Sequence, residues 1–254
     1  MKRRNFVITG VAAIVAAGIA FAPPARAAET LRIATEGAYA PFNNKNAKGE
    51  LVGFDVDIAK ALCAQMKIKC TIVAQDWDGI IPGLMAKKYD AIIASMSITE
   101  KRMKKVSFSA PYYSNYLQFV SKKGSGFKSG MAALKGKTIG AQRATVSSQY
   151  LAKKYKDVIK LKVYSTQDAA WLDLKAGRVD AILADIYPSY DWVRRNPKFA
   201  FTGAKIDIDD KIGIAVRKND TALRDKISMA IKMIRANGTY AKINAKYFPF
   251  DIYK

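Results

Sequence analysis

Short, mostly apolar runs alternate along this chain with longer stretches whose apolar residues recur every three or four positions. The runs at Leu31–Ala34, Thr71–Val73, Ala91–Ala94, Tyr116–Val120, Thr138–Gly140, Val179–Leu183 and Ile212–Val216 predict strands. After Gly53 the stripe Phe54, Ile58, Leu62 and Met66 predicts a helix, with Asp55 and Asp57 in its first turn, where the helix dipole favours anions. Ile80, Ile81, Leu84 and Met85 predict a second, facing inward, with Pro82 tolerated in its first turn. Ser97-Ile98-Thr99-Glu100 fits a capping box that opens a helix through Arg102. Thr145 is placed to cap a helix with Val146, Tyr150 and Leu151 on one face. Further helices are expected over Thr166–Lys175, stopped at Gly177, and over Thr221–Asn237. Strands alternating with helices predict an α/β fold built on parallel sheet.

Two stretches ninety residues apart repeat one arrangement. Leu84 is followed six residues later by Asp90-Ala91-Ile92-Ile93-Ala94-Ser95, and Leu174 by Asp180-Ala181-Ile182-Leu183-Ala184-Asp185. Each reads as a helix feeding a buried strand, and ligands of open α/β sheets bind beyond the carboxyl ends of strands. Ser95 and Asp185 then occupy matching positions in two lobes facing one cleft. The chain is expected to cross between lobes near Tyr113–Leu117 and to return near Asp209–Gly213, which permits a hinge. This divides it into a first lobe over 28–115 and 212–254 and a second over 116–211. The tail from Gly238 is expected to pack back on the first lobe.

Residues 1–27 read as an export signal. Lys2, Arg3 and Arg4 precede an apolar stretch from Phe6 to Ala22, and Ala25-Arg26-Ala27 offers a small-x-small cleavage site. The expected location is the periplasm. The whole chain carries +22, and without the four basic residues of the signal it still carries +18. The lysines are dispersed, with no arginine-rich arm, so the charge reads as a solvated surface and not as a nucleic-acid interface. The sequence has no histidine, which weakens metalloenzyme and catalytic-triad readings. Cys63 and Cys70, the two cysteines, read in an exported chain as a disulfide; a metal site is the alternative, with few ligands nearby.

The predicted strand ends collect a particular set of side chains. Glu36 and Tyr39 follow the first strand, Trp77 precedes the second helix, and Ser95, Ser97 and Arg102 follow the strand Ala91–Ala94; Gln142, Arg143, Thr145 and Asp185 come from the second lobe. A guanidinium beside hydroxyls suits a carboxylate in a planar fork, and a carboxylate opposite suits an ammonium. An anion site and a cation site in one cleft describe an α-amino acid. Arg143 is open to three readings: ligand contact, bridge between lobes, or solvated side chain.

Glu50-Leu51-Val52-Gly53-Phe54-Asp55-Val56-Asp57, the cysteine pair, and Ser95-Met96-Ser97-Ile98-Thr99-Glu100-Lys101-Arg102 resemble the polar-amino-acid family of periplasmic solute-binding proteins. The likeness is greatest to lysine/arginine/ornithine- and histidine-binding proteins of ABC importers and to the opine-binding branch, and runs from about Leu31 to Tyr253. It implies the type II periplasmic-binding-protein fold: two similar lobes of parallel-rich sheet flanked by helices and joined by a two-strand hinge. It also implies a monomer without cofactor or metal that closes on a cationic amino acid and delivers it to a membrane permease. By resemblance, Arg102 and Thr145 hold the ligand carboxylate with Ser95 and Ser97, and Asp185 holds the ammonium. Tyr39 and Trp77 flank the side chain and Glu36 meets its distal charge. Three positions depart from the cationic-amino-acid pattern: Glu36 stands for an aspartate, Ala94 for a serine, and Arg143-Ala144-Thr145 for a glycine-initiated loop. Glu36, Trp77 and Ala94 resemble the opine branch, whose ligands (octopine, nopaline) are the alternative. An exported dehydratase on the same fold is the enzymatic alternative, but the cleft acids already have roles as charge partners.

Overall fold

The computed structural model describes residues 30–253, so the export signal read at residues 1–27 lies outside the described residues. The chain begins with β1 (Leu31–Thr35), a small meander β2 (Ala38–Tyr39), β3 (Asn43–Lys45) and β4 (Leu51–Val52), then α1 (Phe54–Gln65) and β5 (Cys70–Ala74). There follow α2 (Trp77–Met85), β6 (Ala91–Ile92), α3 (Glu100–Met103) and β7 (Val106–Phe108). It crosses over in β8 (Tyr113–Lys122) and continues through β9 (Thr138–Gln142), α4 (Val146–Lys154), β10 (Lys160–Tyr164), α5 (Gln167–Lys175), β11 (Ala181–Asp185) and α6 (Ile186–Arg195). The long β12 (Phe199–Ile212) returns it to β13 (Ala215–Arg217), α7 (Thr221–Ala236) and α8 (Thr239–Tyr247).

Two five-stranded sheets result, ordered β5-β1-β6-β13-β7 and β10-β9-β11-β8-β12. In each, the first two pairings are parallel and the last two antiparallel. The duplicated segments become β6 and β11, the middle strand of each sheet. The sheets are thus mixed, where the sequence predicted parallel ones. The parallel pairs come from helical crossovers, which return the chain to the same edge direction; β8, β12 and β13 arrive from the other lobe or by a direct reversal and are free of that rule. Where they pass between the lobes, β8 and β12 pair Tyr113 with Ile212, Ser114 with Lys211 and Asn115 with Asp210. These paired strands form the hinge.

Phe54 anchors the first core, ringed by Phe42, Tyr113, Tyr240 and Phe248 with centroids 5.5–6.2 Å away. Tyr240, Phe248 and Ile252 bring α8 and the tail back onto this lobe. In the second lobe Leu117, Phe119, Ile139 and Leu183 fill one face of the sheet, and Trp171 stacks on Trp192 at 4.5 Å on the other. Cys63 of α1 and Cys70 of β5 form a disulfide, tying a helix end to the next strand. Closing so short a loop contributes on the order of 2–3 kcal/mol in the chain-entropy account.

Several local expectations change. Met85 points to solvent, because α2 buries only Ile80, Gly83 and Leu84 against the sheet. Pro82 lies inside that helix and not in its first turn, so one helical hydrogen bond is missing there. The α3 cap is Thr99, whose hydroxyl accepts from the Arg102 amide, and not Ser97. Strands β7 and β10 and helix α6 were not read from the sequence; Pro188, in the first turn of α6, resembles a breaker but needs no amide partner there.

Asp55 departs most from expectation. Besides standing in the first turn of α1, it is wholly buried beneath the cleft. Its carboxylate accepts from the Tyr112 hydroxyl at 2.7 Å, Asn43 Nδ2 at 2.8 Å and Ser95 Oγ at 2.9 Å. Gly53 makes this possible: it holds φ 128°, and a Cβ there would lie 2.2 Å from the Phe42 carbonyl oxygen. Asp55→Ala would orphan three buried donors, so unfolding by urea should show a loss of about 3 kcal/mol or more. A loss under about 1 kcal/mol would show that the network is not what holds this end of the sheet.

Candidate functional site

Equivalent strand ends of the two sheets meet across the cleft. Glu36 follows β1 and Gln142 ends β9, the second strand of each sheet, and Gln142 Nε2 donates to Glu36 Oε1 at 2.7 Å. Ser95 follows β6 and Asp185 ends β11, the middle strand of each. Tyr39, from the meander beside β1, donates its hydroxyl to Asp185 Oδ2 at 2.5 Å. The lobes are therefore in contact through polar side chains at the site itself.

Between them lies a narrow cavity of about 20 Å³ lined by Glu36, Tyr39, Trp77, Ser95, Ser97 and Arg102 from the first lobe and Gln142, Thr145 and Asp185 from the second, with Ala94 and Val146. Nine of the ten side chains singled out from the sequence face this one space. Arg143 is the exception. It is more than half exposed and forms an ion pair with Asp78 across the lobes, in the groove beside the cavity. Of its three readings, the bridge between lobes is the one this ion pair matches; Ala144, at φ 58°, turns the loop so that the Ala144 carbonyl and Thr145 face inward in its place.

Arg102 is the central cation. It is 8 % exposed, its Nη1 donates to the Ser97 carbonyl at 2.8 Å and its Nη2 to the Ala144 carbonyl of the other lobe at 3.1 Å. The guanidinium lies over the Trp77 ring, 5.2 Å from its centroid. Burial pulls its pKa down to about 10, opposed by the nearby charges of Asp210 and Asp185. Two carbonyls occupy only part of its five-donor fork, which leaves donors for an anion.

The acids behave in the opposite sense. Burial pushes Glu36 up to about 7; the bond from Gln142 opposes this, and Asp168, Asp76 and Asp78 add to it. Asp185 is also pushed up to about 7, by burial first and by the charge of Asp210 second, with Tyr39, Asn115 and Arg102 opposing. Asp55, below the cavity, reaches about 6 through burial. Ser95 itself sits at φ 50°, a left-handed conformation that a side chain bears only when its surroundings impose it. Its Oγ bond to Asp55 and its amide bond to the Tyr112 hydroxyl, 3.2 Å, supply that constraint. Thr145 caps α4, accepting from the Ser148 amide while donating to the Gln142 carbonyl at 2.7 Å.

Sequence reasoning missed Asp55, Asp78, Asn115 and Asp210 as members of this assembly. Asp78 gave no signal, being one acid at a helix start. Asn115 and Asp210 did lie in the two predicted crossover segments, where a buried polar pair is unusual enough to mark them. Among the described residues no group of histidine, cysteine or acid side chains is arranged to hold a metal ion, and no helix is long and apolar enough to cross a membrane.

Comparison with known proteins agrees with this architecture. Residues 31–250 match the bacterial extracellular solute-binding proteins, family 3. The chain is 40% identical to the L-arginine-binding protein of Pseudomonas aeruginosa over 239 residues, covering 91% of this chain and 92% of that one. It is 38% identical to the lysine/arginine/ornithine-binding periplasmic protein of Escherichia coli, covering 89% and 90%. Among solved structures, an ancestral arginine-binding protein bound to arginine superposes with a TM-score of 0.82 at 40% identity, covering 86% of this chain and 98% of that one. A buried guanidinium among strand-end acids, on two lobes of one topology, thus sits on a chain that belongs to family 3 of the bacterial extracellular solute-binding proteins.

Proposed function

We propose that this protein is the periplasmic solute-binding subunit of an ABC importer, that it works as a monomer, and that it captures a cationic L-amino acid (arginine, lysine or ornithine, with histidine a weaker candidate) by closing its lobes. The moving bodies are residues 28–115 with 212–254 and residues 116–211, and a membrane permease receives the ligand. The observation that carries the reading is the charge of the cavity: one buried guanidinium against two buried acids held apart by different partners. A ligand with one carboxylate and two cations balances that set, and one with a neutral side chain does not. Arg102 and the Thr145 turn receive the α-carboxylate, with Ser95 and Ser97 beside it. Asp185 receives the α-ammonium. Glu36, steadied by Gln142, meets the distal cation, and Tyr39 and Trp77 flank the chain between. The relatives named for arginine and for lysine, arginine and ornithine support the same ligand class.

Arg102→Ala should cost roughly 2–5 kcal/mol of binding, because the ligand carboxylate stays desolvated without a partner. Arg143→Ala removes only an exposed ion pair, worth about 0–1 kcal/mol, and should change affinity less than about fivefold. Titration calorimetry separates the two; near-normal affinity in the Arg102 variant would remove the carboxylate assignment.

A ligand at 100 times its dissociation constant adds about 2.7 kcal/mol of stability. For a chain of this size that raises Tm by about 5–10 °C. Arginine, lysine or ornithine should give this shift in a thermal screen, and glutamine and glutamate should not. Equal stabilisation by glutamine and arginine would sink the cationic reading.

The ligand-free protein should show an uncommon pH trend. Glu36, Asp185 and Asp55 titrate above their ordinary values, so the folded chain keeps protons that the unfolded chain has already released. Their contribution to stability is therefore present below about pH 4 and is lost as pH rises through about 7. Tm should fall between about pH 5 and 8 without ligand; a flat or rising Tm would contradict the burial of these acids in ionisable form.

A further inference from the structure

Asp210 does not line the cavity, yet it is 5% exposed and sits where hinge and site join. On β12 it lies opposite Asn115 of β8, whose Nδ2 donates to Asp210 Oδ2 at 2.8 Å. On the other side of β8, Asp185 of β11 lies opposite Leu117. Directly opposed residues share a face of a sheet, and so do residues two apart on one strand. Asp210 and Asp185 therefore stand on the same face, on either side of β8, with Asn115 between. The stretch carrying Asp210 is also joined to the ligand-facing loop: the Ile98 amide donates to the Lys211 carbonyl at 2.8 Å, and Ser97 bridges to Ile212. The charged and polar groups that face Asp210 are Asp185, Arg102, Lys211, Tyr39, Ser97 and Asn115.

We infer that Asp210 is a positioning residue for the ligand ammonium: with Asn115 it couples to Asp185 as a carboxyl pair that holds one proton until a cationic group enters the site. This rests on the assignment of the α-ammonium to Asp185 made above. Two carboxylates this deeply buried have one buried cation beside them, the Arg102 guanidinium, while the Lys211 ammonium is half exposed and paired with Asp209; a shared proton removes the remaining negative charge. Asp210 is raised, by burial, in the same direction as Asp185. An independent sign is Asn115 Oδ1, a buried acceptor with no hydrogen-bond partner among the described residues. Such an oxygen suits the O–H of a protonated carboxyl. When the ligand ammonium arrives its charge takes the place of the proton: the carboxyl O–H bond breaks, its electron pair stays on the oxygen, and the proton leaves to solvent.

The test is the affinity for arginine between about pH 5.5 and 8.5, measured by calorimetry on wild type and Asp210→Asn. Each proton released on binding lowers log Kd by about one per pH unit, so the slopes below are magnitudes of a fall. Wild type should approach a slope of about two near pH 6, one proton from Glu36 and one from the pair. In Asp210→Asn burial still raises Asp185, but the second carboxylate charge is gone, so Asp185 ionises at lower pH and the slope should fall from about two toward one. Asp210→Ser, smaller and also uncharged, should give the same profile if the Asn variant does not fold. Heats of wild-type binding in buffers of different ionisation enthalpy count the protons directly; more than about one at pH 6 is expected, and one or fewer overturns the inference. An unchanged slope in a folded variant overturns it too, while leaving the binding reading intact. Failure of wild type to bind arginine at any of these pH values removes both.

Discussion

The guanidinium of Arg102 is held out of water by two carbonyl oxygens, one from each lobe: Ser97 on its own side and Ala144 on the other. A buried cation with this few partners is tolerable only where its surroundings are anionic and where its remaining donors have a use. Both conditions shape the molecule around it. The acids at the strand ends provide the field, and donors of the fork are left facing the narrow cavity between the lobes. The same side chain joins the two lobes, because one of its carbonyl partners lies on each.

Beneath the cation is a support that the first lobe provides internally. Gly53 opens α1 at a backbone angle that other residues resist, and Asp55 is thereby carried inward below Ser95. Asp55 gathers Tyr112, Asn43 and Ser95, and the resulting pull holds Ser95 in its left-handed conformation at the end of β6. The strain at Ser95 is thus held by a buried network in the core and not by the loop that displays it. Polar groups that would weaken a core here fix the geometry of the site above it.

Periodicity made the repeated unit legible. The pattern Leu84 to Ser95 and Leu174 to Asp185 marks two helix-to-strand units, and these are the central strands of the two sheets. Side chains at strand ends were legible for the same reason, since their position follows from where each apolar run stops. What escaped depends on direction and on long-range pairing. No local pattern shows that β8 and β12 run antiparallel to their neighbours, because that follows from passage between lobes. Asp55 reads only as an acid in the first turn of a helix until the turn at Gly53 is seen, and Asp210 reads as one of two adjacent acids in a crossover until its register with Asn115 is known. Arg102 stands out in sequence as the anion partner while Arg143 is open to three readings; the positive φ at Ala144 goes with Arg143 turned outward to Asp78.

A crystal structure with arginine bound tests the central claim most directly. The ligand carboxylate should lie within about 2.7–3.2 Å of the Arg102 guanidinium, its ammonium at the same range from Asp185, and its guanidinium against Glu36 between Tyr39 and Trp77. Arginine bound in the reverse sense, with its side chain at Asp185 and its carboxylate away from Arg102, or seated outside this cavity, would contradict it.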